Sequence, residues 1–276
     1  MICIAGMPRS GTSLVTQLLH QSGLYLGAAG DMMPASPNNT DGFWENLLFV
    51  RVNERLLAAS GGTWFAPPDQ VRPTPAIVGD ARAAMARFAG REPWGWKDPR
   101  NALTLSFWRG LLPPTLKVIV CVRHPAETAA SLAASTLFPR PGFRFSWPLT
   151  RGRSLHRRVA AAIRATASAA ERSRLNDEVG LDLWRIYNTA LLEQCRGLER
   201  LITHYEAILD DPRGELERLL DFAGLPVSSA AREQAVAVTK RSLRHQRVHD
   251  APLDPALASL YAQLCAESAT REPHHA

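Results

Sequence analysis

The chain has 276 residues, of which 46% are hydrophobic, and a formal net charge of +6. This length suffices for one large or two small globular domains, and no predominantly apolar run approaches the roughly 20 residues of a membrane-spanning helix. The positive charge suits either an anionic ligand or nucleic acid. Because no basic segment precedes an apolar, cleavable stretch at the N-terminus, we expect a cytoplasmic protein without a membrane span.

Short apolar runs alternate along the chain with longer segments of helical periodicity. The runs predict strands at residues 1–5, 94–96, 117–122 and 201–203. The periodic segments predict helices at residues 11–21, 45–59, 75–88, 102–111, 126–135, 154–174, 182–196, 212–222, 229–238 and 255–267. This alternation is typical of α/β proteins. We therefore predict a three-layer sandwich, with a central parallel sheet flanked by helices and a P-loop-like nucleotide-binding topology.

Long connections rich in proline and glycine separate several of these elements, at residues 28–42, 61–75 and 139–152. Loops of this length inside a compact domain are often functional. We predict a single domain over residues 1–269, in which residues 139–178 form a candidate lid or acceptor-site insertion. Residues 270–276 are predicted to form a flexible tail.

The first chemical motif is the octapeptide GMPRSGTS at residues 6–13, which follows the first predicted strand. A P-loop nucleoside triphosphatase has the pattern G-x-x-x-x-G-K-[ST], whose lysine reaches the β- and γ-phosphates. Here Thr12 occupies the lysine position, and Arg9 is the only cation in the loop. A glycine turn between a strand and a helix still directs backbone N–H groups at an anion. The loop is thus expected to bind phosphate-like charge without triphosphate chemistry.

A second anion site is predicted where the strand at 117–122 ends. Arg123 stands where a Walker-type ATPase would offer an acidic residue to magnesium, and Pro125 suits the first position of the following helix. Ser131 lies two turns along that helix, so an arginine fork and a hydroxyl could share one phosphate group. The alternative is structural, with Arg123 capping a neighbouring helix and Ser131 packing as a small residue.

These two motifs, together with the late segment 203–226, resemble the sulfotransferase family, which uses 3′-phosphoadenosine 5′-phosphosulfate as donor. The resemblance covers about residues 1–245. It implies that the first loop binds the 5′-phosphosulfate through Pro8, Arg9, Ser10, Gly11, Thr12 and Ser13, and that Arg123 and Ser131 bind the 3′-phosphate. The basic segment 240–245 resembles the loop that the family folds over the 3′-phosphate, which adds Arg241 and Arg244 as candidate ligands.

Sulfuryl transfer to a hydroxyl needs a base and a positive charge at the bridging oxygen, and it requires no metal. Glu45 follows the first helix, a region where similar sulfotransferases place a catalytic glutamate, and it begins a helix that would stabilise its ionised form. Lys97 and Asp98 occupy the segment where small-molecule sulfotransferases carry a lysine and a histidine. We expect Glu45 as base, Lys97 and Arg9 as charge stabilisers, and Asp98 as the alternative base. For each residue a structural alternative remains open. Glu45 would then only stabilise a helix end, and Lys97 would only form a surface ion pair.

The acceptor is expected to be a hydroxylated small molecule or a carbohydrate. Aromatic residues on the long connections, Trp64 and Phe65 among them, suit a cleft that excludes water, although they could equally anchor the loops to the core. A phosphotransferase using ATP and magnesium is one alternative function. A non-catalytic nucleotide- or nucleic-acid-binding module is another, supported by the basic residues between 151 and 174. Because no aromatics are interleaved there to stack on bases, we expect no nucleic-acid partner.

Overall fold

The computed structural model describes residues 1–34, 42–135, 169–225 and 253–269, together with residues 229, 233, 237 and 239. In these ranges the strands are β1 (Ile2–Gly6), β2 (Gly95–Lys97), β3 (Lys117–Val122) and β4 (Glu199–His204). The helices are α1 (Thr12–Gln21), α2 (Leu47–Ala59), α3 (Pro75–Ala86), α4 (Asn101–Arg109), α5 (Pro125–Ala133), α6 (Ala169–Gln194), α7 (Tyr205–Asp210), α8 (Pro212–Ala223) and α9 (Pro255–Ala269), and a 3₁₀ turn covers Ala29–Asp31. The four strands predicted from the sequence are confirmed, with small shifts at their ends.

The described strands form one parallel sheet in the order β2-β1-β3-β4. Ile2 of β1 is in register with Gly95 on one side and with Lys117 on the other, and Lys117 is in register with Glu199 of β4. Parallel strands end at the same edge of a sheet, which is where ligands bind in open α/β folds. At or directly beyond the strand ends of this edge lie Lys97, Arg123, Tyr205 and the octapeptide at residues 6–13, which we call the phosphate loop after its predicted role.

Alternate residues of β1 enter two separate hydrophobic cores. Cys3 and Ala5 face a core that contains apolar residues of α2, α3, α4, α6 and α9. Ile2 and Ile4 face the other core, which is closed by α1, α7 and α8. Burial on both faces explains why the strands are continuously apolar instead of alternating. The predicted three-layer α/β sandwich is therefore confirmed.

Phe49 of α2 occupies the centre of an aromatic cluster on the first of these faces. Its ring is stacked on Trp96 with 5.2 Å between centroids and an interplanar angle of 20°, and it lies 5.0 Å from the Trp108 ring. Phe88 contacts it edge to face at 5.4 Å. Such ring pairs add about 0.5–1.5 kcal/mol each beyond the buried area. The cluster fixes the start of α2 against the end of β2, the two places from which the candidate base and lysine project.

Helix α6 corrects the predicted break between the helices at 154–174 and 182–196. Within the described residues one helix runs without interruption from Ala169 to Gln194. Gly180 lies inside it, and a Cβ built there would stand 2.7 Å from the Cβ of Ala129 in α5. Glycine is thus needed for a close helix crossing and does not mark a break. Residues 139–168 of the predicted insertion and the predicted tail lie outside the described residues.

Although α6 is long, none of the described helices combines the length and apolar character needed to cross a membrane. The 26 residues of α6 include several charged positions. Its buried face consists of Leu183, Trp184, Tyr187 and Leu191, which pack on the sheet. The helix therefore belongs to the layer that covers the sheet.

We expect Gly180→Ala to lower the free energy of unfolding, because the added methyl group would overlap Ala129 and push α5 and α6 apart. Overpacking of this kind costs about 1–3 kcal/mol, more than the gain of up to about 1 kcal/mol that alanine brings to a helix. Gly79 of α3 is the matched control, since a Cβ there meets no described heavy atom within 4 Å. Gly79→Ala should therefore preserve or raise stability. Urea denaturation of both variants measures the difference, and equal stabilisation of the two would contradict the close crossing.

Candidate functional site

The loop between β1 and α1 has the backbone geometry of a tight turn that leads into a helix. Arg9 and Gly11 have left-handed backbone conformations, with φ of 74° and 86°. The Ser10 N–H donates to the Met7 carbonyl at 3.1 Å and closes a tight turn between them. Gly11 is the N-cap of α1 and has no side chain with which to cap the first turn. The free N–H groups of that turn are therefore available to an anion.

Two residues of this loop indicate that it is built for close contacts. The Ser10 hydroxyl is buried and has no hydrogen-bond partner among the described residues. An unpaired buried hydroxyl costs about 1–3 kcal/mol, which a phosphate oxygen could recover. A Cβ on Gly11 would stand 2.6 Å from Cδ2 of Tyr205, so only glycine allows the ring at the start of α7 to approach the loop.

Arg9 links the two anion sites predicted from the sequence. Its Nε donates to the Ser131 hydroxyl of α5 at 3.1 Å. Burial lowers the pKa of the Arg9 guanidinium, and the nearby positive charge of Arg123 lowers it further. In the described part of the chain no carboxylate forms an ion pair with Arg9. Arg123 is buried and Arg9 is partly buried. Two guanidinium groups held near each other repel, and a bound anion beside both would relieve that repulsion.

Arg123 follows β3 and is held by three kinds of contact. Its Nε and Nη2 donate to Oε2 of Glu127 at 3.2 and 3.1 Å. Its guanidinium carbon lies 4.6 Å from the centre of the Tyr205 ring, within the range of a cation–π interaction. Nε1 of Trp184 in α6 donates to the Arg123 carbonyl at 3.0 Å. The guanidinium thus has a fixed plane, and its carboxylate partner Glu127 lies on the helix that follows it, whereas the structural alternative had Arg123 capping a neighbouring helix.

Lys97 at the end of β2 and Glu45 before α2 form a buried ion pair. Nζ of Lys97 lies 2.7 Å from Oε1 of Glu45, and the two side chains are only 2% and 8% exposed. The same ammonium donates to the Ser13 hydroxyl at 3.2 Å and to the Phe43 carbonyl at 3.0 Å. All three N–H bonds of the ammonium therefore have an acceptor. The candidate lysine and the first candidate base meet beside the phosphate loop.

The segment of residues 42–46, which we call the base segment, is held in place by its own backbone. Trp44 has a φ of 59°, which is uncommon for a residue other than glycine. The Glu45 carbonyl accepts a hydrogen bond from the Met33 N–H at 2.7 Å. Asn46 caps the first turn of α2 with its side chain. These backbone and cap contacts hold Glu45 in place independently of the contacts of its side chain.

Asp98, the alternative base, has both carboxylate oxygens engaged. Oδ1 accepts from the backbone N–H and from Nη1 of Arg100 at 2.9 and 3.0 Å. Oδ2 accepts from Nδ2 of Asn53 in α2 at 2.9 Å. Oδ1 of the Asn53 side chain in turn accepts from the Thr104 hydroxyl and from Nε1 of Trp108. Asp98 is fully buried in this network, which ties α2 to α4.

Of the candidate acceptor-site aromatics, Trp64 and Phe65 lie within the described residues. Their rings pack edge to face at 5.4 Å, and the Trp64 carbonyl accepts from the Tyr187 hydroxyl of α6 at 2.7 Å. They anchor their loop to the core, as the structural alternative predicts. The candidate ligands Arg241 and Arg244 lie outside the described residues.

Sequence reasoning missed Glu127 and Tyr205 as parts of the site. Glu127 could have been found, because it lies four residues after Arg123 at a helix start, the spacing of a helical ion pair. Tyr205 offers no local signal. Its contact with Gly11 depends on the position of β4 in the sheet, which the sequence pattern does not reveal.

We expect Asn53→Ala to lower the free energy of unfolding by at least about 3 kcal/mol, because it removes partners from the buried side chains of Asp98, Thr104 and Trp108. Glu54 is the control on the same helix. Its side chain is 56% exposed, so loss of its ion pair through Glu54→Ala should cost about 1 kcal/mol or less. Denaturant unfolding of the two variants gives the comparison. Equal, small losses would show that the Asn53 network adds little to stability.

Residues 2–229 match the model of the sulfotransferase family. No curated protein matches the chain. Among solved structures, the fold is similar to the sulfotransferase domain from the curacin biosynthetic pathway, with a TM-score of 0.54 and 16% identity over 96% of this chain and 97% of that one. Weaker similarities are to the sulfotransferase domain of the Synechococcus PCC 7002 olefin synthase, at TM-score 0.47 and 18% identity over 96% and 93% of the two chains, and to a sulfotransferase from Mycobacterium tuberculosis H37Rv, at TM-score 0.45 and 13% identity over 96% and 76%. Because the family model spans most of the chain, the protein belongs to the sulfotransferase family.

Proposed function

We propose that the protein transfers a sulfuryl group from 3′-phosphoadenosine 5′-phosphosulfate to a hydroxyl of a small-molecule or carbohydrate acceptor. The observation that carries this proposal is the buried Lys97–Glu45 pair, hydrogen-bonded to Ser13 of the phosphate loop. It supplies a carboxylate and an ammonium group beside the loop that would hold the donor. Membership of the sulfotransferase family supports the reaction type.

The residues of the two anion sites fit a donor with two separated phosphate-bearing ends. The first-turn N–H groups of α1 and the unpaired Ser10 hydroxyl would hold the 5′-phosphosulfate. Arg123 and Ser131 would hold the 3′-phosphate, as the family resemblance implies. Arg9 contacts Ser131 and belongs to the loop, so its guanidinium could serve either end of the donor. Arginine is well suited to this, because its fork can bind two oxygens at once.

The proposed chemistry uses Glu45 as general base. Glu45 accepts the proton of the acceptor hydroxyl while that oxygen forms a bond to sulfur and the bond from sulfur to the bridging phosphate oxygen breaks. Lys97 and Arg9 stabilise the electron pair left on the bridging oxygen, which departs with the adenosine bisphosphate. No step is assigned to a metal. Glu45 is preferred to Asp98 because both Asp98 oxygens already accept hydrogen bonds from Asn53 and Arg100.

Donor-site binding can be tested without an acceptor. Adenosine 3′,5′-bisphosphate should raise the melting temperature, whereas ATP with magnesium should do so less. Arg9→Ala should weaken bisphosphate binding by about 10- to 100-fold, the worth of one or two charge-assisted hydrogen bonds. The variant should remain folded, since no described carboxylate loses its partner.

The matched control for this experiment is Arg185→Ala, which removes an exposed arginine paired with Asp182. Its bisphosphate affinity, measured by calorimetry, should equal that of the wild type. Stabilisation by ATP with magnesium but not by the bisphosphate would favour the phosphotransferase alternative instead. Unchanged affinity in Arg9→Ala would remove Arg9 from the donor site.

Glu45→Gln should lower kcat by about 10²- to 10⁴-fold, the usual contribution of a general base, while bisphosphate affinity is retained. A screen of hydroxylated acceptors with labelled sulfate donor identifies a substrate for this measurement. Glu54→Gln serves as control, because Glu54 is an exposed residue of α2. Near-normal turnover of Glu45→Gln would assign the base to another residue, Asp98 first.

A further inference from the structure

The ion pair of Arg123 and Glu127 is buried, although it has the spacing of a pair on a helix surface. The two residues are four positions apart, and their side chains are only 6% and 0% exposed. On a helix surface such a pair stabilises a protein only slightly, and in the interior the desolvation of the two charges can exceed their attraction. Stability is therefore a weak reason for burying this pair.

Glu127 binds one particular edge of the guanidinium group. A single carboxylate oxygen, Oε2, accepts from Nε and from Nη2 of Arg123 at 3.2 and 3.1 Å. An arginine carries five N–H bonds in a fixed plane. The two N–H bonds of Nη1 and the second one of Nη2 have no acceptor in the part of the chain that the structure describes. They form the open end of the fork, an edge that can bind two oxygens of a phosphate group.

The other contacts of Arg123 restrain its plane and its backbone. The centre of the Tyr205 ring lies 4.6 Å from the guanidinium carbon, and Nε1 of Trp184 donates to the Arg123 carbonyl at 3.0 Å. A ring against the face of a guanidinium limits tilting but not rotation within the plane. Glu127 is therefore the contact that decides in which direction the open end of the fork points.

One face of α5 holds both arginines of the predicted anion sites. Glu127 and Ser131 are four residues apart and thus share a helix face. Glu127 binds Arg123 through two hydrogen bonds. Ser131 accepts one from Nε of Arg9 at 3.1 Å, and the charge of Arg123 is close enough to lower the pKa of Arg9. The Glu127 carboxylate offsets part of this repulsion and keeps Arg123 in place before an anion arrives.

We propose that Glu127 is a positioning residue, which aims the open end of the Arg123 fork at the 3′-phosphate of the donor. This inference rests on the proposed function, from which it takes the ligand of Arg123. By its charge alone, a carboxylate beside an anion site would weaken binding of the anion. A carboxylate that orients the fork has the opposite effect, and it acts on nucleotides with a 3′-phosphate far more than on those without one.

The test compares adenosine 3′,5′-bisphosphate with adenosine 5′-phosphate, which lacks the 3′-phosphate, and measures both affinities by calorimetry. Glu127→Gln should lower the ratio of the two affinities by about tenfold, the value of one charge-assisted hydrogen bond. The affinity for adenosine 5′-phosphate should change by less than about threefold. Glu127→Asp retains the charge but shortens the side chain by one methylene group, so its ratio should fall as well.

Glu215→Gln is the matched control. Glu215 of α8 is also a buried carboxylate paired with an arginine of its own helix, Arg218, and it accepts from the Thr203 hydroxyl. Its substitution should lower stability but leave the affinity ratio within about threefold of the wild type. In an Arg123→Met background, Glu127→Gln should change the ratio by less than about threefold, because the residue it acts through is gone.

The outcomes separate this inference from the proposed function. If the wild type neither binds the bisphosphate nor transfers sulfate, the proposed function fails and takes the inference with it. If the wild type prefers the bisphosphate, the inference alone is overturned by an unchanged ratio or tighter bisphosphate binding in Glu127→Gln, or by an equal fall in Glu215→Gln. Equal wild-type affinities for the two nucleotides also overturn it. Should Glu127→Gln or Arg123→Met not fold, Glu127→Asp decides, and a wild-type ratio in that variant overturns the inference.

Discussion

The buried pair of Lys97 and Glu45 constrains how the chain is arranged around the carboxyl end of β2. Removing an ammonium and a carboxylate from water costs several kcal/mol per ion, and their attraction compensates only when the geometry is good and the remaining hydrogen bonds are satisfied. The Phe43 carbonyl and the Ser13 hydroxyl supply those bonds. The left-handed backbone at Trp44 and the cap at Asn46 are the local means by which the chain meets this demand.

In the other half of the edge, around Arg9 and Arg123, the charges are not balanced. Arg123 has a carboxylate partner in Glu127, whereas Arg9 has none among the described residues and donates to a serine instead. On the side of Lys97 and Glu45 the charges are therefore paired, and on the side of Arg9 a positive charge is left over among the described residues. A single sheet edge thus has two halves that differ in how they pair their charges.

Features that depend on neighbours along the chain could be predicted from the sequence. The strands, the phosphate loop and the helix begun by Pro125 all follow from local patterns of apolar residues, glycine and proline. The pairing of Lys97 with Glu45 could not be predicted, because it depends on β2 lying next to β1. In the sequence the two residues belong to separate segments, which were alternative sources of the catalytic base. The hydrogen-bonding role of Asp98 could not be predicted for a related reason. Its partner Asn53 is far away in sequence and lies on an otherwise apolar helix face.

The contact of Gly11 with the Tyr205 ring has a consequence for how the protein folds. The two residues are far apart along the chain, and the ring that packs against the loop comes directly after β4. Pairings between such distant segments form slowly, because loop-closure entropy must be overcome first. The loop therefore lacks one wall until the last described strand, β4, has joined the sheet. The shape of the loop's surroundings is in this sense a property of the finished fold, and the loop motif alone does not confer it.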